Sequence, residues 1–374
     1  MVLKGIRRSG KSTIIKQLIH ELIKSGINKR QVLYLNLEDY SFANDLNLNL
    51  FEDVLKAYKE YNKPDKSASS KRDDQKRIYF FIDEIQKISG WERWIRTKYD
   101  LNENIKFVIS GSSASLLSKE LSTLLTGRNL SFVIMPLSFN EYVHFTKDNE
   151  NLDEYMKYGG FPEVVLEKSE EKKVYLLKQY FEDIIHKDII DRFAIRNTKQ
   201  VLDLARYLVS TSGSKVSVNK LSKIFGLSKD TLRTYINYMI DSYLLFEVTY
   251  FSYSAKVRHD VTKLPKLYCL DSGFMNVVNT RYSQNLGQVF ENTVLIKLAQ
   301  IHREISYWSE LNTEVDFIVE KTAINVTAAD KIPEREQKGL EEFKKKHREF
   351  DLLLISRAQS NENMTPILEF LRQE

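Results

Sequence analysis

The chain of 374 residues has one cysteine, Cys269, which excludes an internal disulfide and a cysteine-rich metal site. A reducing, cytoplasmic setting is therefore expected. No apolar run approaches the length of a membrane span, so no membrane partner is expected. The apolar residues at the start give way at once to Lys4 and Arg7, which argues against a signal peptide. Neither sign of charge dominates. The 56 basic and 51 acidic residues leave a net charge of +5, compatible with nucleic acid but no argument for it. The useful question is where the basic residues cluster. A hydrophobic content of 42% supports ordinary packed cores, and the length allows two or three domains.

The clearest positive signal lies in the first dozen residues. Gly5-Ile6-Arg7-Arg8-Ser9-Gly10-Lys11-Ser12 fits G-x-x-x-x-G-K-[ST], with a short apolar run before it and an amphipathic segment, Thr13 to Ile23, after it. Strand, glycine loop and helix are the context of a phosphate-binding P-loop. Glycines let the backbone curl so that several N–H groups face one cup, and the helix N-terminus adds positive potential. The expected phosphate-binding residues are Gly5, Arg7, Arg8, Ser9, Gly10, Lys11, Ser12 and Thr13. Lys11 would reach the β- and γ-phosphates of ATP, and the Ser12 hydroxyl would ligate Mg²⁺.

Val32 to Asp39 reads as a buried strand, Phe51 to Tyr61 as a helix, and Lys63 to Lys76 as a solvated loop. Ile78-Tyr79-Phe80-Phe81-Ile82 describes a central parallel strand, followed by Asp83 and Glu84 at its C-terminal end. That is a Walker B arrangement. Asp83 is expected to hold Mg²⁺ and Glu84 to polarise the attacking water. A further strand, Ile105 to Ile109, runs into Ser110-Gly111-Ser112-Ser113. Ser112 is a candidate to orient the γ-phosphate, or it simply caps a helix. Arg128, before the strand Leu130 to Met135, is a candidate arginine finger completing a neighbour's site, or a surface arginine.

In order along the chain these segments, with Ile85-Gln86, Trp91 and Pro136-Leu137-Ser138-Phe139-Asn140-Glu141, resemble the AAA+-type ATPases of archaea and bacteria that carry a C-terminal domain of unknown function. Gly159-Gly160-Phe161-Pro162 and Tyr268-Cys269-Leu270-Asp271-Ser272-Gly273 fit as well. The resemblance implies an α/β fold with a P-loop AAA+-like parallel-sheet core at 1–137 and a helical lid at 138–212. A winged helix-turn-helix at 213–262 and a PD-(D/E)xK nuclease-like domain at 263–374 complete it. It implies ATP and Mg²⁺ as cofactors and a homo-oligomer. Relatives usually carry a helical segment before the first strand, so either the sequence starts at an internal methionine or adenine is held differently here.

Asn151 to Asn197 reads as helices, with Tyr175, Leu176, Tyr180, Ile184 and Ile185 at helical spacing. Asp183, Lys187, Asp188 and Asp191 read as the wetter side, a solvated face rather than a metal cluster, and His186 as a surface residue. Ser217 is placed to cap a helix ending at Phe225, and Ser228 to cap a second one. The second buries Leu232, Tyr235, Ile236, Met239 and Ile240 and presents Lys229, Arg233, Thr234 and Asn237. A strand pair involving Leu245 to Tyr250 then makes a wing. Five basic residues and one acid between Lys215 and Arg233 suit phosphate contacts, and Arg233 or Asn237 could reach base edges. The alternative is a winged helix that packs against protein.

The C-terminal order resembles a PD-(D/E)xK nuclease. That chemistry needs a helix Glu, a strand Asp and an E-x-K pair, with the carboxylates holding a hard cation. Glu291 and Asp316 match the first two, but the pair falls on Asn325 and Thr327. An inherited, inactive fold is expected. Lys331 and Lys344-Lys345-Lys346 are candidate phosphate contacts or solvated charges. The reading as a whole is an Mg²⁺-dependent ATPase coupling its nucleotide state to DNA or a partner. The alternatives are a slow switch that binds a protein and an ATP-gated nuclease.

Overall fold

The computed structural model describes residues 1–62, 77–101, 103–113, 130–147, 149–258, 262–278, 286–329, 331–357 and 364–373. The loop expected at Lys63 to Lys76 and the candidate Arg128 lie outside the described residues. The chain divides into two compact units, Met1–Ile134 and Met135–Glu374.

The first unit contains β1 (Val2–Lys4), α1 (Lys11–Lys24), β2 (Val32–Asn36), α2 (Leu48–Tyr61), β3 (Ile78–Asp83), α3 (Trp91–Asp100), β4 (Ile105–Gly111) and β5 (Ser131–Val133). Its five strands run parallel in the order β2-β3-β4-β1-β5. Parallel strands need crossover helices, and helices on both faces require strands that are apolar on both sides. β3 shows this directly. Phe80 and Ile82 join Phe51, Leu55, Trp91 and Trp94 on one face, while Phe81 joins Leu3 and Ile15 on the other. Each of Phe80, Phe81 and Ile82 is fully buried, a contribution of about 1.5–3 kcal/mol per side chain. β2 differs from its reading as a buried strand: it is the sheet edge, and Tyr34 is 36% exposed. Because every strand points the same way, the C-terminal ends of β1, β3 and β4 share one edge.

The second unit begins with helices: α4 (Phe139–Phe145), α5 (Leu152–Tyr158), α6 (Pro162–Leu166), α7 (Glu170–Asp183) and α8 (Thr198–Ser210). Between the last two, Ile184–Asp191 is π-helical. This segment corrects one reading and α7 another. Asp188 is buried at 3% exposure rather than on the wetter side, and Tyr175 is 67% exposed rather than in the apolar stripe. The wider turn of a π-helix shifts which residues face the core, so a 3.6-residue count places Asp188 on the wrong side. His186 is exposed, as read.

Next come α9 (Val218–Phe225) and α10 (Lys229–Asp241). Ser217 caps the first and Ser228 the second through their side chains, and Gly226 closes the first in a left-handed conformation. Leu232, Ile236 and Met239 are buried, and Lys229, Arg233, Thr234 and Asn237 are exposed.

The strands that follow form a seven-stranded mixed sheet in the order β12-β11-β10-β9-β8-β6-β7. They are β6 (Leu245–Tyr250), β7 (Lys266–Cys269), β8 (Ser306–Glu310), β9 (Thr313–Val319), β10 (Thr322–Val326), β11 (Asp351–Ser356) and β12 (Met364–Pro366). The helices α11 (Ser272–Val278) and α12 (Leu286–Ile301) lie between β7 and β8, α13 (Glu334–Lys346) between β10 and β11, and α14 (Ile367–Arg372) after β12. The expected wing pair is β6 with β7, antiparallel, and it is not free-standing. The other edge of β6 pairs with β8, so the wing is continuous with the C-terminal sheet.

Candidate functional site

The P-loop leaves β1 at Gly5, where φ is +152° and a Cβ would lie 1.9 Å from the Ile134 carbonyl oxygen. Only glycine fits between these strands. Arg8 adopts a left-handed backbone at φ 69°, a conformation unusual outside glycine and concentrated at functional sites. Gly10, also left-handed, is the N-cap of α1 and offers no side-chain cap. The N-cap position of this 14-residue helix thus supplies no side-chain acceptor to its first turn, an end whose chemistry suits an anion. Lys11 is buried, its Nζ donating to the carbonyls of Gly5 at 3.1 Å and Ile6 at 2.9 Å. Ser9 Oγ is buried with no hydrogen-bond partner among the described residues. Ser12 is half-buried at the helix start, and Thr13 is exposed. Arg7 pairs with Glu38 at 2.7 Å, so its guanidinium is held toward the end of β2.

On the same sheet edge, β3 delivers Asp83 and Glu84, 1% and 6% exposed. Tyr34 donates to Asp83 Oδ2 at 3.2 Å, and the Ser110 hydroxyl donates to Asp83 Oδ1. Burial, and then the Asp83 charge, push the Tyr34 phenol up to about 12. Ser110 also accepts from the Glu84 backbone N–H at 3.1 Å. Glu84 is left-handed at φ 57°, which turns its side chain out of the strand direction. Gln86 Nε2 donates to Glu84 Oε2 and, at 3.3 Å, to Ser112 Oγ. Lys11 at the start of α1, Asp83 at the end of β3, and Glu84 and Ser112 just past β3 and β4 thus lie at one edge of one sheet.

The sequence reading did not single out Ser110, Tyr34 or Gln86. Ser110 carried a signal, since it ends the strand that neighbours β3. Gln86 belonged to a motif segment without a role of its own, and Tyr34 carried no signal that a linear pattern could weigh. The donor set fits the groups expected there. A backbone cup with an unpartnered buried hydroxyl, a lysine resting on loop carbonyls, and hard oxygens from Ser12 and Asp83 suit a phosphate chain and a small hard cation.

The other candidates are elsewhere. Lys229, Arg233 and Asn237 line a cleft of about 510 Å³ whose apolar walls, among them Val216, Ile236, Leu264 and Leu267, are joined by Ser217, Asn219, Glu247 and Lys263. Arg233 pairs with Asp230 of its own helix at 3.1 Å. Glu291 and Asp316 line a larger cleft of about 750 Å³ with Glu314, Thr327 and Glu336. Asn325 does not face a ligand. Its Oδ1 accepts from the Asp316 N–H at 2.9 Å, and its Nδ2 donates to the carbonyls of Glu314 and Glu336 at 3.2 and 2.9 Å. Among the described residues, no group of three or more His, Cys, Asp or Glu is arranged to hold a metal ion. No helix among them is long and apolar enough to cross a membrane.

Residues 1–143 match the family model described as an AAA domain, and residues 149–285 match one described as a domain of unknown function. The chain is 31% identical over 341 residues to an uncharacterized protein of Methanocaldococcus jannaschii, covering 85% of this chain and 71% of that protein. It is 32% identical over 347 residues to an uncharacterized protein of Haemophilus influenzae, covering 89% and 83%. Among solved structures it is similar to Cdc6p from Pyrobaculum aerophilum, at a TM-score of 0.34 and 11% identity over 74% of this chain and 85% of that one.

Proposed function

Since the chain belongs to the AAA+ P-loop family, we propose that it binds ATP with Mg²⁺, hydrolyses it, and couples the nucleotide state to DNA or a protein partner. The observation that carries the reading is the convergence of the P-loop lysine, the buried Asp83 and the left-handed Glu84 on one sheet edge. Lys11 leaves the loop carbonyls for the β- and γ-phosphate oxygens, where its charge offsets what develops on transfer. Ser12 and Asp83 are the residues to hold Mg²⁺, which when bound supplies charge neutralisation on the phosphates. Glu84 orients water as general base, and Gln86 holds its carboxylate until nucleotide is present.

The division into a lid at 138–212, a winged helix at 213–262 and a nuclease-like domain at 263–374 belongs to the same reading, as does a homo-oligomer in which Arg128 completes a neighbouring site. Turnover by the wild type, Lys11→Ala and Glu84→Gln tests the core of it. Equal rates in all three would remove the assigned roles. Arg128→Ala is expected to lose turnover and keep ATP binding; unchanged turnover would end the case for catalysis between subunits.

A second reading has its own observation. The exposed face of α10 borders a cleft that mixes apolar walls with Glu247 and Lys263, and the wing strand is tied into the C-terminal sheet. Both favour a protein partner over a duplex and support the slow nucleotide-dependent switch. The ATPase rate with and without single- and double-stranded DNA separates the two, because a DNA-coupled enzyme changes its rate and a protein-coupled switch does not.

A further inference from the structure

The nuclease-like resemblance implies a divalent ion held by Glu291 and Asp316, and the residues at that place do not fit one. Lys266, on β7, sends a side chain only 4% exposed between those carboxylates. Its Nζ lies 2.6 Å from Glu314 Oε1, 3.5 Å from Glu291 Oε1 and 3.6 Å from Asp316 Oδ1. A divalent ion needs its oxygens at roughly 2.0–2.6 Å around one point, and here that point is taken by an ammonium.

The oxygens are also committed elsewhere. Asp316 Oδ2 accepts the Val326 N–H at 3.0 Å, Tyr268 OH donates to Glu291 Oε1 at 2.5 Å, and Lys215 Nζ donates to Glu314 Oε2 at 2.6 Å. Asn325, at the third motif position, is spent on backbone groups and the Glu336 carboxylate. Carboxylates gathered this closely repel one another, which a cation among them relieves; burial and then the Glu291 charge still push Asp316 well above its usual range against the pull of Lys266. Burial pushes Glu314 upward, but the charges of Lys266 and Lys215 outweigh it and hold the group below the usual carboxylate range.

We propose that the Lys266 ammonium is the resident cation of this cleft, standing in for a divalent ion and closing the site to metal-dependent phosphodiester hydrolysis. The arrangement also has a mechanical consequence. Lys266 lies on the strand paired with β6, and Lys215 immediately precedes the first helix of the α9–α10 pair. Both stand on Glu314, so one carboxylate on β9 ties β7 within the C-terminal sheet through Lys266 and fastens the segment before α9 to it through Lys215.

Mn²⁺ titration by calorimetry on the full chain without nucleotide tests this, with wild type, Asp316→Asn, Lys266→Met and Lys266→Met/Asp316→Asn compared. Wild type and Asp316→Asn are expected to behave alike. Lys266→Met should gain one Mn²⁺ per chain that the double variant loses, and its lowered melting temperature should rise again with Mn²⁺. Uptake by wild type that Asp316→Asn abolishes would overturn the proposal, as would a folded Lys266→Met that gains no ion. If Lys266→Met does not fold alone, Lys266→Met/Glu314→Gln, which removes one charge of each sign, replaces it. Glu291 and Asp316 must then bind the ion, or the proposal fails. No arm depends on ATP hydrolysis.

Discussion

The carboxylate of Asp271 accepts a hydrogen bond from the backbone N–H of Gly160 at 2.8 Å, across a separation of 111 residues. Its other oxygen accepts from the Gly273 N–H at 2.9 Å. The Gly159-Gly160-Phe161-Pro162 and Tyr268-to-Gly273 segments are thus two halves of one buried joint. Gly159 sits at φ +74°, and a Cβ there would lie 1.9 Å from Asp271 Oδ1. The carboxylate fills the space that a side chain would need.

The joint makes stability pH-dependent. Burial raises the Asp271 pKa from 3.8 to about 7, outweighing the backbone N–H groups that favour the charged form. The folded state then holds a proton that the unfolded chain has released, so this group's contribution falls as pH rises from about 4 to about 7. Urea unfolding at pH 5 and pH 8 should give the wild type a lower stability at the higher pH. In Asp271→Asn that difference should shrink. The variant should also be less stable by about 1–3 kcal/mol at pH 5, since an amide turns an N–H toward a backbone donor. A wild type equally stable at both pH values would refute the assignment.

Gly5→Ala is expected to destabilise the first unit by more than about 2 kcal/mol, because the added methyl meets a backbone carbonyl of the neighbouring strand and cannot move aside. Thermal unfolding and binding of a fluorescent ATP analogue check this together. Gly26→Ala, at a positive-φ position with nothing within 4 Å, is the control for backbone strain alone. Its loss should be smaller, and its nucleotide binding intact.

Ser110→Ala removes the hydroxyl that bridges Asp83 and the Glu84 N–H. Two buried polar groups lose a partner, at a cost of about 1–3 kcal/mol. If Asp83 holds Mg²⁺, the variant should need more Mg²⁺ for half-maximal turnover than the wild type. An unchanged Mg²⁺ dependence with lowered stability would leave Ser110 a purely structural role.

Lys229→Ala and Arg233→Ala decide what the α10 face touches. If it meets phosphates, DNA affinity should fall steeply with salt, and each substitution should reduce the slope of log K against log salt by about 1. Fluorescence anisotropy over a salt series measures this. Slopes unchanged in both variants would exclude that face from DNA.

Much of the fold could be read from short-range signals. The P-loop, the caps Ser217 and Ser228 and the apolar run of β3 each depend on a few neighbouring residues, whose conformational preferences act locally. Asp188 could not be placed this way, because the π-helix that buries it changes the period by which faces are counted. Nor could the merging of β6 into the C-terminal sheet, since β8 lies some 60 residues later and strand pairing leaves no mark in local composition.

The sequence by itself determined the α/β class, the parallel core and the loop shaped for phosphates, because glycine placement, side-chain alternation and helix capping are properties of adjacent residues. Only the tertiary structure decided which groups share a charge environment. Ser110 meets Asp83, Asp271 reaches Gly160, and Lys266 enters the carboxylates where the strand motif offers Asn325 and Thr327. Hydrogen bonds and ion pairs depend on distances in space of a few ångströms, and residues far apart in the chain acquire those distances only when the sheets assemble.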